Sequence, residues 1–454
     1  MTGTAAQLTT WLASGEGERS LRSLYGSEEP SAQRAAWRRA IESFHATFGT
    51  SASGAQSPGM STVSARDTAA QLTLVSAPGR TELAGNHTDH NGGMVLAASV
   101  HLDTKAVVAP RRDSLVRLHS VGFPETFEVD LTDLAPQENE VASPAALIRG
   151  VAAALHEGGY RVGGFDAYVE SSVPVGSGLS SSASFEVLLA EVHNVLWNSR
   201  SIEVVPLSRA AQLAENRFFG KPCGLMDQIA CANGGVVRID FRDSLRPEVR
   251  SVPCEFASHG YTLCVVNTGS SHADLTADYA SVPEEMNLVA RLLGAERLAE
   301  TREEEILDRL SFLRAEAGDR AILRALHFHR ENERVQEITE ALENDDMKRY
   351  LAGVRASASS SWRLLQNYLP TTTVREQAIA LTAALLERLF PDAVARVHGG
   401  GFAGAVQVYV REEEFPRFEN EMERLYGPGS VIPLRIRSRA AGPLGEAYSQ
   451  SREG

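Results

Sequence analysis

The sequence predicts a mixed α+β protein of two domains, on three observations. Its 454 residues exceed the size at which a single hydrophobic core usually stops growing. Runs with the composition of β-strands recur between residues 72 and 171, whereas charged amphipathic segments with helical spacing dominate 284–346. Two further strand-like runs, 236–241 and 261–266, lie on either side of a stretch near 245–258, where we place the domain boundary.

The elements can be assigned in order along the chain. Apolar residues at helical spacing predict helices from residue 1 to about 48, and a loop rich in Ser, Gly and Pro follows over about 49–66. In the first domain we expect strands at 72–77, 95–109, 115–121, 126–131, 165–171 and 236–241, with helices near 143–157 and 179–197. In the second domain we expect a strand at 261–266, helices within 284–346 and 374–389, strands on both sides of 399–401, a helix near 413–425 and a last strand near 430–436. The chain is thus divided into a helical extension with its loop (1–66), a first domain (67–250) and a second domain (251–454).

Composition and charge exclude several classes of partner. A net charge of −14 argues against nucleic acid or an anionic membrane as the main partner, although it does not argue against nucleotides. No apolar run reaches the roughly 18 residues of a membrane span, and the N-terminus lacks the apolar segment of a secretory signal. The four cysteines show no C-x-x-C spacing, so reduced thiols are the simplest expectation. We therefore expect a cytoplasmic protein, a monomer or a weak homo-oligomer, that acts on small molecules.

The segment 79–93 is the most informative feature of the sequence. It holds one arginine, two histidines, one aspartate and four glycines between two apolar runs. A core segment has no use for so many polar groups, whereas a turn held on a rigid scaffold is where binding and catalytic groups tend to sit. We predict a strand, a tight turn and a second buried segment, with the polar side chains of the turn in contact with a ligand.

A second segment, 173–184, places two glycines and a run of serines at the start of an amphipathic helix. The free amides of a helix N-terminus attract anions, and glycines let the backbone approach phosphate oxygens closely. A capping serine is the simpler alternative, but three consecutive serines exceed what a cap needs. We predict a phosphate site, although it is neither a P-loop, since no lysine follows the glycines, nor a dinucleotide fingerprint, since the third glycine is missing.

Two further segments are less decisive alone. Residues 214–228 place Glu215 near the end of a helix and Asp227 just beyond a Pro-Cys-Gly loop, in apolar surroundings. A carboxylate there is costly unless it is paired or used, but Asp227 also suits a helix N-cap, and both interpretations stay open. Residues 399–404 match G-x-G-x-x-G, yet the run after them has the pattern of a strand, so a Rossmann interpretation fails. A turn that closes over a ligand and a tight hairpin remain as alternatives.

Taken together and in this order, these segments resemble the GHMP small-molecule kinases and, within them, the galactokinases. The segment 79–93 resembles the galactokinase signature, 174–183 resembles the GHMP phosphate loop, and 399–404 is similar to the C-terminal glycine motif. Residues 222–228 strengthen the resemblance to galactokinases. The resemblance covers about 72–436 and implies a two-domain GHMP kinase fold, with an N-terminal mixed α/β domain and a C-terminal ferredoxin-like α+β domain with added helices.

The resemblance implies an ATP-dependent kinase that phosphorylates the anomeric O1 hydroxyl of galactose, with Mg²⁺ on the phosphates. Asp227 and Arg80 would be the catalytic pair, with Asp227 facing the anomeric hydroxyl either as a base or as an orienting charge. Glu215 and a serine, Ser181 or Ser182, would hold Mg²⁺. The sugar pocket would be lined by Asn86, His87, Asp89, Gly224 and Tyr279. The ATP phosphates would contact Gly176, Ser177, Gly178, Leu179, Ser180, Ser181 and Ser182.

The departures from the family pattern fall on the sugar side. Asn86 stands where galactokinases usually carry Glu, His90 where they carry Tyr, and residues 269–272 replace a basic run. The glutamate that Asn86 replaces is expected, from the family, to meet the C6 hydroxyl, and asparagine keeps hydrogen bonding without the negative charge. Galactose is the first expectation for the sugar, with galacturonate or another C6- or C2-modified galactose as the alternative. A sensor that binds sugar and ATP but signals through a partner is a second alternative.

Overall fold

The computed structural model describes residues 1–26, 30–49, 71–254, 256–269 and 275–445. The predicted loop over about 49–66 lies outside the described residues except for residue 49, and the departure at 269–272 lies outside them except for residue 269. Among the helices of these ranges, none combines the length and the apolar character that crossing a membrane requires.

The N-terminal region is helical, as predicted for residues 1 to 48. It consists of a two-residue strand and three helices: β1 (Thr2–Gly3), α1 (Ala5–Leu12), α2 (Gly15–Tyr25) and α3 (Pro30–Phe48). Thr4 and Gln7 form a capping box at the start of α1, since each side chain accepts a hydrogen bond from the other residue's backbone N–H. The Ser14 side chain caps α2 in the same way, through the N–H of Gly17.

The first domain follows the predicted order of elements. Along the chain these are β2 (Leu72–Ala84), β3 (Met94–Pro110), β4 (Leu115–Ser120), β5 (Thr126–Asp130), α4 (Pro144–Glu157), β6 (Phe165–Ser171), α5 (Ser181–Trp197), α6 (Val204–Leu213), α7 (Met226–Asn233), β7 (Val236–Asp240) and β8 (Glu248–Val252). A π-helical turn, Ala214–Phe219, continues α6. Strand β8 was not predicted, because it is mostly exposed and lacks the apolar run by which a strand is recognised.

The second domain is richer in helices, as predicted. Its elements are β9 (Tyr261–Asn267), α8 (Thr276–Leu293), α9 (Glu303–Asp308), α10 (Leu310–Glu343), α11 (Met347–Ser360), α12 (Ala378–Leu389), β10 (Val394–His398), β11 (Ala405–Arg411), α13 (Phe415–Tyr426) and β12 (Val431–Leu434). The chain then returns to the sheet of the first domain with β13 (Gly442–Pro443). Helix α10 is interrupted at Gly318, whose φ of 80° is not helical. Helix α11 was not predicted, because its serine-rich end has low helix propensity.

The first sheet contains nine strands within the described residues. Its main order is β1-β2-β3-β6-β4-β5, while β13 pairs with β2, and β7 pairs with both β3 and β8. Every pairing is antiparallel except that of β4 with β6. The register between β2 and β3 shifts twice, between Pro78 and Arg80 and again between Glu82 and Ala84. Such irregularities bend a strand and redirect its side chains, and here they fall where the polar turn begins.

Helices cover both faces of this sheet. On one face Val75 and Ala77 pack against α4, α5 and α6. On the other face Leu72 and Leu74 pack against α1, α2 and α3, where Trp37 is fully buried. Because successive residues of a strand point to opposite faces, this two-sided cover explains the continuous apolar run of β2. The N-terminal helices therefore complete the core of the first domain.

The second sheet has the order β10-β11-β9-β12, with every pairing antiparallel. Numbered along the chain, its strands lie in the order 2-3-1-4, with helices after the first and third strands. This is the ferredoxin-like arrangement that the resemblance implied. Helices α12 and α13 pack on the sheet through residues such as Leu386 and Phe418.

Candidate active site

Arg80 in β2 and Asp227 in the first turn of α7 form a two-pronged ion pair. Arg80 Nε donates to Asp227 Oδ1 at 2.7 Å, and Nη2 donates to Oδ2 at 2.8 Å. Two parallel hydrogen bonds fix the orientation of both groups as well as their distance. The Arg80 side chain is 6% exposed and that of Asp227 is 31% exposed, so the carboxylate keeps an open side while the guanidinium lies behind it.

The surroundings of Asp227 keep it ionised. Burial opposes the charge, but the positive charge and hydrogen bonds of Arg80, with a further bond from Ser180 Oγ, hold the pKa of Asp227 below its ordinary value. The alternative of an N-cap is wrong, because Leu225 occupies that position and Asp227 lies inside the helix without a capping bond. Asp227 is therefore a fixed negative charge and a weak base.

The serine-rich loop lies directly against Arg80. The Arg80 backbone N–H donates to Leu179 O at 3.1 Å, and Nη1 donates to Gly178 O. Gly178 has a φ of 75°, and a Cβ there would lie 2.7 Å from His398 Nδ1, so a side chain would strain the backbone and crowd the histidine. Helix α5 begins at Ser181, and the N–H groups of its first turn have no partner within the helix. A helix end with free backbone N–H groups thus lies beside Asp227.

The other predicted carboxylate, Glu215, meets the same helix end. Glu215 is almost fully buried in the π-helical turn. Ser182 Oγ donates to Glu215 Oε1 at 3.1 Å, and Lys221 Nζ lies 3.2 Å from the same oxygen. Gln228 Nε2 donates to Glu215 Oε2 at 3.3 Å and to Glu186 Oε2 at 3.1 Å. The structure thus brings Glu215 and Ser182 together at the start of α5.

Glu186, Gln228 and Lys221 were not singled out from the sequence. Glu186 is fully buried on α5, where burial and the nearby negative charge of Glu215 raise its pKa well above its ordinary value. One signal was available, since Glu186 lies four residues after Ser182 and therefore on the same face of a helix. Gln228 offered no comparable signal, because its role depends on carboxylates from two other helical segments.

Glu215 and Ser182 fit the chemistry of a Mg²⁺ site. Both offer oxygen, and Mg²⁺ commonly takes one or two protein carboxylates and completes its shell with substrate phosphates and water. Within the described ranges, no group of three or more His, Cys, Asp or Glu side chains is placed to hold a metal ion. Magnesium binding at this place would therefore depend on a phosphate-bearing ligand.

The segment 79–93 forms the end of β2 and the turn that leads into the buried strand β3, as predicted. Side chains of Asn86, His87 and Tyr279 donate hydrogen bonds to the successive carbonyls of 399–401, in that order, at 2.7, 2.8 and 2.8 Å. The glycines 399–401 lie in the connection between the antiparallel strands β10 and β11, so no helix follows them and the rejection of a Rossmann motif is confirmed. The hairpin thus serves as a support for the polar turn.

Asn86 is only 1% exposed, and both ends of its amide are occupied. Besides its bond to the hairpin, Nδ2 donates to Glu82 Oε1 at 3.1 Å, and Oδ1 accepts from Asn367 Nδ2 at 2.7 Å. Glu82 is in turn paired with the fully buried Arg396. The expected contact of Asn86 with a sugar hydroxyl has no support in this arrangement, because Asn86 instead joins β2 to the glycine hairpin.

Asp89 and Gly224 are direct neighbours, as expected of residues that line one pocket. A Cβ on Gly224 would overlap Asp89 Oδ2 and lie 3.5 Å from His90 Cε1, so a larger residue at 224 would displace the aspartate. His90 Nε2 lies 3.6 Å from Asp89 Oδ1. His87 lies on the same turn, and burial lowers its pKa to about 4, so it is neutral. The turn therefore offers one carboxylate and two imidazoles.

Comparisons with known proteins show which family the chain resembles. Residues 146–235 match the family model of the GHMP kinases N terminal domain, and residues 65–110 match that of the galactokinase galactose-binding signature. A galactokinase of Streptomyces coelicolor is 33% identical over 368 residues, which are 80% of this chain and 90% of that protein. A galactokinase of Actinobacillus pleuropneumoniae is 30% identical over 342 residues, which are 75% of this chain and 85% of that protein.

Solved structures share the fold. The galactokinase of Lactococcus lactis complexed with galactose matches with a TM-score of 0.70 at 24% identity, over 83% of this chain and 95% of that one. A mevalonate kinase of Methanococcus jannaschii matches with a TM-score of 0.54 at 14% identity, over 80% of this chain and 98% of that one. The predicted two-domain GHMP kinase fold is confirmed.

Proposed function

This chain belongs to the galactokinase family of the GHMP kinases, and on that premise we propose that it transfers the γ-phosphoryl group of ATP to the O1 hydroxyl of galactose. One observation carries the proposal. Asp227, paired with Arg80, accepts a hydrogen bond from Ser180 beside the N-terminus of α5, and it follows three residues after Gly224, which lies against Asp89 of the turn. Phosphoryl transfer to a hydroxyl requires that a phosphate and an acceptor meet in line at such a charge.

The phosphates of ATP would contact the segment 176–182. Gly176 and Gly178 adopt positive φ and let the backbone curve around an anion, while the first turn of α5 supplies N–H donors. Ser177 is fully buried and its Oγ donates to Pro174 O at 2.7 Å, so its hydroxyl stabilises the loop. Leu179 is buried and anchors the segment in the core.

Asp227 would orient the O1 hydroxyl by accepting its hydrogen bond. Its lowered pKa makes it a poor proton acceptor in the ground state, and a loose transition state needs little help from a base. Arg80 would keep the carboxylate ionised and fixed, so that the acceptor oxygen stays aligned with the phosphate. Positioning and electrostatic stabilisation would thus account for most of the rate.

Glu215 and Ser182 would hold Mg²⁺, with Ser181 as the other candidate hydroxyl. When bound, the ion supplies positive charge that neutralises the phosphate oxygens during transfer. Lys221 Nζ lies 3.2 Å from Glu215 Oε1, so a bound ion would share this carboxylate with the lysine ammonium.

The sugar would lie against His87, Asp89, Gly224 and Tyr279. A carboxylate at Asp89 accepts hydrogen bonds from neighbouring hydroxyls and repels an acidic sugar. This favours galactose over galacturonate, the alternative that Asn86 suggested. Asn86 itself would act indirectly, through the hairpin that it binds.

A substrate panel tests the proposal. ATP consumption is measured with galactose, galacturonate and C2-modified galactoses, and the product is identified by phosphorus NMR as a 1-phosphate. Asp227→Asn should abolish turnover while ATP still binds. Turnover of galacturonate well above galactose would overturn the choice of sugar, near-normal activity of Asp227→Asn would overturn the catalytic assignment, and ligand binding without any sugar phosphate would favour the sensor.

A further inference from the structure

One helix of the second domain, α10, is hydrogen-bonded to the backbone of the polar turn 85–93. Three side chains of α10, at positions 327, 331 and 332, bond to the backbone at both ends of this turn. We propose that His327 and Glu331 are positioning residues for the sugar, which hold the turn in the shape that presents His87 and Asp89 to the substrate. The proposal rests on the proposed function of the turn as the sugar-binding segment.

His327 bonds to the turn as a neutral imidazole of defined tautomer. It is fully buried, with Nε2 2.9 Å from Asn86 O and Nδ1 2.9 Å from Ser360 Oγ. A carbonyl oxygen can only accept, so Nε2 carries the hydrogen and Nδ1 accepts from the Ser360 hydroxyl. Burial lowers the pKa of His327, which agrees with this assignment. A second helix, α11, thus sets which way His327 donates.

Glu331 and Asn332 hold the two ends of the turn. Glu331 Oε1 accepts from the backbone N–H of Gly85 at 3.1 Å and also from Ser357 Oγ of α11. The other carboxylate oxygen of Glu331 is paired with Arg334, so the buried charge is compensated. Asn332 Oδ1 accepts from the N–H of Met94 at 2.7 Å, where β3 begins.

The turn needs such support because of its backbone. His87 has a φ of 61°, which a side chain with a Cβ disfavours, and Gly85 and Gly92 have φ of 93° and 78°. Glycine adopts such angles freely, but a residue with a side chain, such as His87, keeps them only where surrounding contacts hold it. Bonds from outside the turn must therefore select this conformation, and without them Asp89 would lose its fixed place beside Gly224.

Two substitutions of His327 separate positioning from mere packing. The amide of His327→Gln reaches the place of Nε2 and can still donate to Asn86 O, whereas that of His327→Asn reaches only the place of Nδ1 and Ser360. We expect His327→Asn to raise KM for galactose about tenfold, with KM for ATP within about twofold. His327→Gln should remain within about threefold of the unmodified protein in both constants.

His329→Asn is the matched control, because it makes the same change on the same helix. His329 bonds to Thr301 at 3.2 Å and lies outside the contacts to the turn. It should leave both Michaelis constants unchanged. Equal effects of His327→Asn and His327→Gln, or an effect of His327→Asn on ATP as large as on galactose, would overturn the proposal.

Hydrogen–deuterium exchange of the full-length protein tests the proposal without any turnover. Peptides that cover 85–94 should exchange faster in His327→Asn than in His327→Gln or His329→Asn, while peptides that cover 173–184 should exchange alike in all three. Failure of the unmodified protein to phosphorylate any sugar would refute the proposed function only, and the exchange rates would still decide whether His327 holds the turn. Identical exchange at 85–94 in all variants would refute the positioning role.

Discussion

Arg80→Lys is the substitution that tests the site most directly. Lysine keeps the positive charge, but its single ammonium cannot match both oxygens of Asp227 and also donate to Gly178 O. Asp227 would therefore keep a cation nearby and stay ionised, yet lose its fixed orientation. We expect a folded protein that binds ATP and sugar but transfers the phosphoryl group slowly.

The size of the effect follows from the geometry. Arg80 makes two bonds to the carboxylate, at 2.7 and 2.8 Å, and each hydrogen bond to a charged group contributes about 1.5–3 kcal/mol. Lysine replaces one of them, and because Asp227 is 31% exposed, water restores part of the other. We expect the free energy of unfolding to fall by about 1.5 kcal/mol. A displacement of a reacting group by about 1 Å costs about 100-fold in rate, and we expect kcat to fall by about that factor.

Arg117→Lys provides a matched control in the same sheet. Arg117 binds Asp166 with the same fork, through Nε at 2.7 Å and Nη2 at 2.9 Å, and the two side chains are 16% and 15% exposed. Chemical denaturation should show comparable losses of stability for both variants, while coupled ADP-release assays should show reduced kcat for Arg80→Lys alone. The reasoning fails if Arg80→Lys keeps kcat within about threefold, or if Arg117→Lys loses as much activity as Arg80→Lys.

Three further predictions concern the two sides of the site. Asn86→Glu should lower the free energy of unfolding by about 3 kcal/mol, because it places a second carboxylate against Glu82 and the Gly399 carbonyl. Unchanged thermal stability would refute the structural role of Asn86. Gly224→Ala should raise KM for galactose at least about tenfold and leave KM for ATP unchanged, because the new Cβ would overlap Asp89. Equal changes in both Michaelis constants would argue against a sugar pocket at this place. In Arg80→Met, the effect of burial on Asp227 is opposed by the bond from Ser180 and the charge of Lys221 but no longer by Arg80, so the pKa of Asp227 rises and the acid limb of kcat/KM moves to higher pH. In the unmodified protein the lowered pKa keeps that limb at lower pH, and a limb that does not move would belong to another group.

The half of the candidate site to which we assign catalysis was predictable because its residues stand out locally. Arg80 is a charge at the edge of an apolar run, and Asp227 is a charge among apolar neighbours. Ser182 follows glycines at the start of a helix, which is where an anion site forms. Each of these signals lies within a few residues, so the sequence was sufficient to place them, and the structure shows which of them touch.

The supporting half was not predictable, because its contacts cross the whole chain. His327 lies 241 residues from the carbonyl that it binds. In the sequence, α10 has the pattern of a solvated charged helix, and nothing in that pattern separates the buried Glu331 from the exposed glutamates around it. Strand β8 and helix α11 escaped prediction for a related reason, since tertiary packing rather than local pattern makes them regular.

The residue expected to determine the choice of sugar differs between the sequence, which points to Asn86, and the structure, which points to Asp89. From the sequence, Asn86 is the position where the loss of a charge would change the sugar. In the structure its amide is hydrogen-bonded to Glu82, Asn367 and Gly399. A substitution at 86 would therefore disturb the contact between β2 and the glycine hairpin before it affected the binding of any sugar. On the proposed function, Asp89 is the charged group that a sugar would contact. The missing side chain of Gly224 leaves space for Asp89, and the turn to which His327 bonds sets its position. Selection between neutral and acidic sugars should therefore follow the charge at Asp89, and a variant that alters sugar choice through residue 86 should also alter stability.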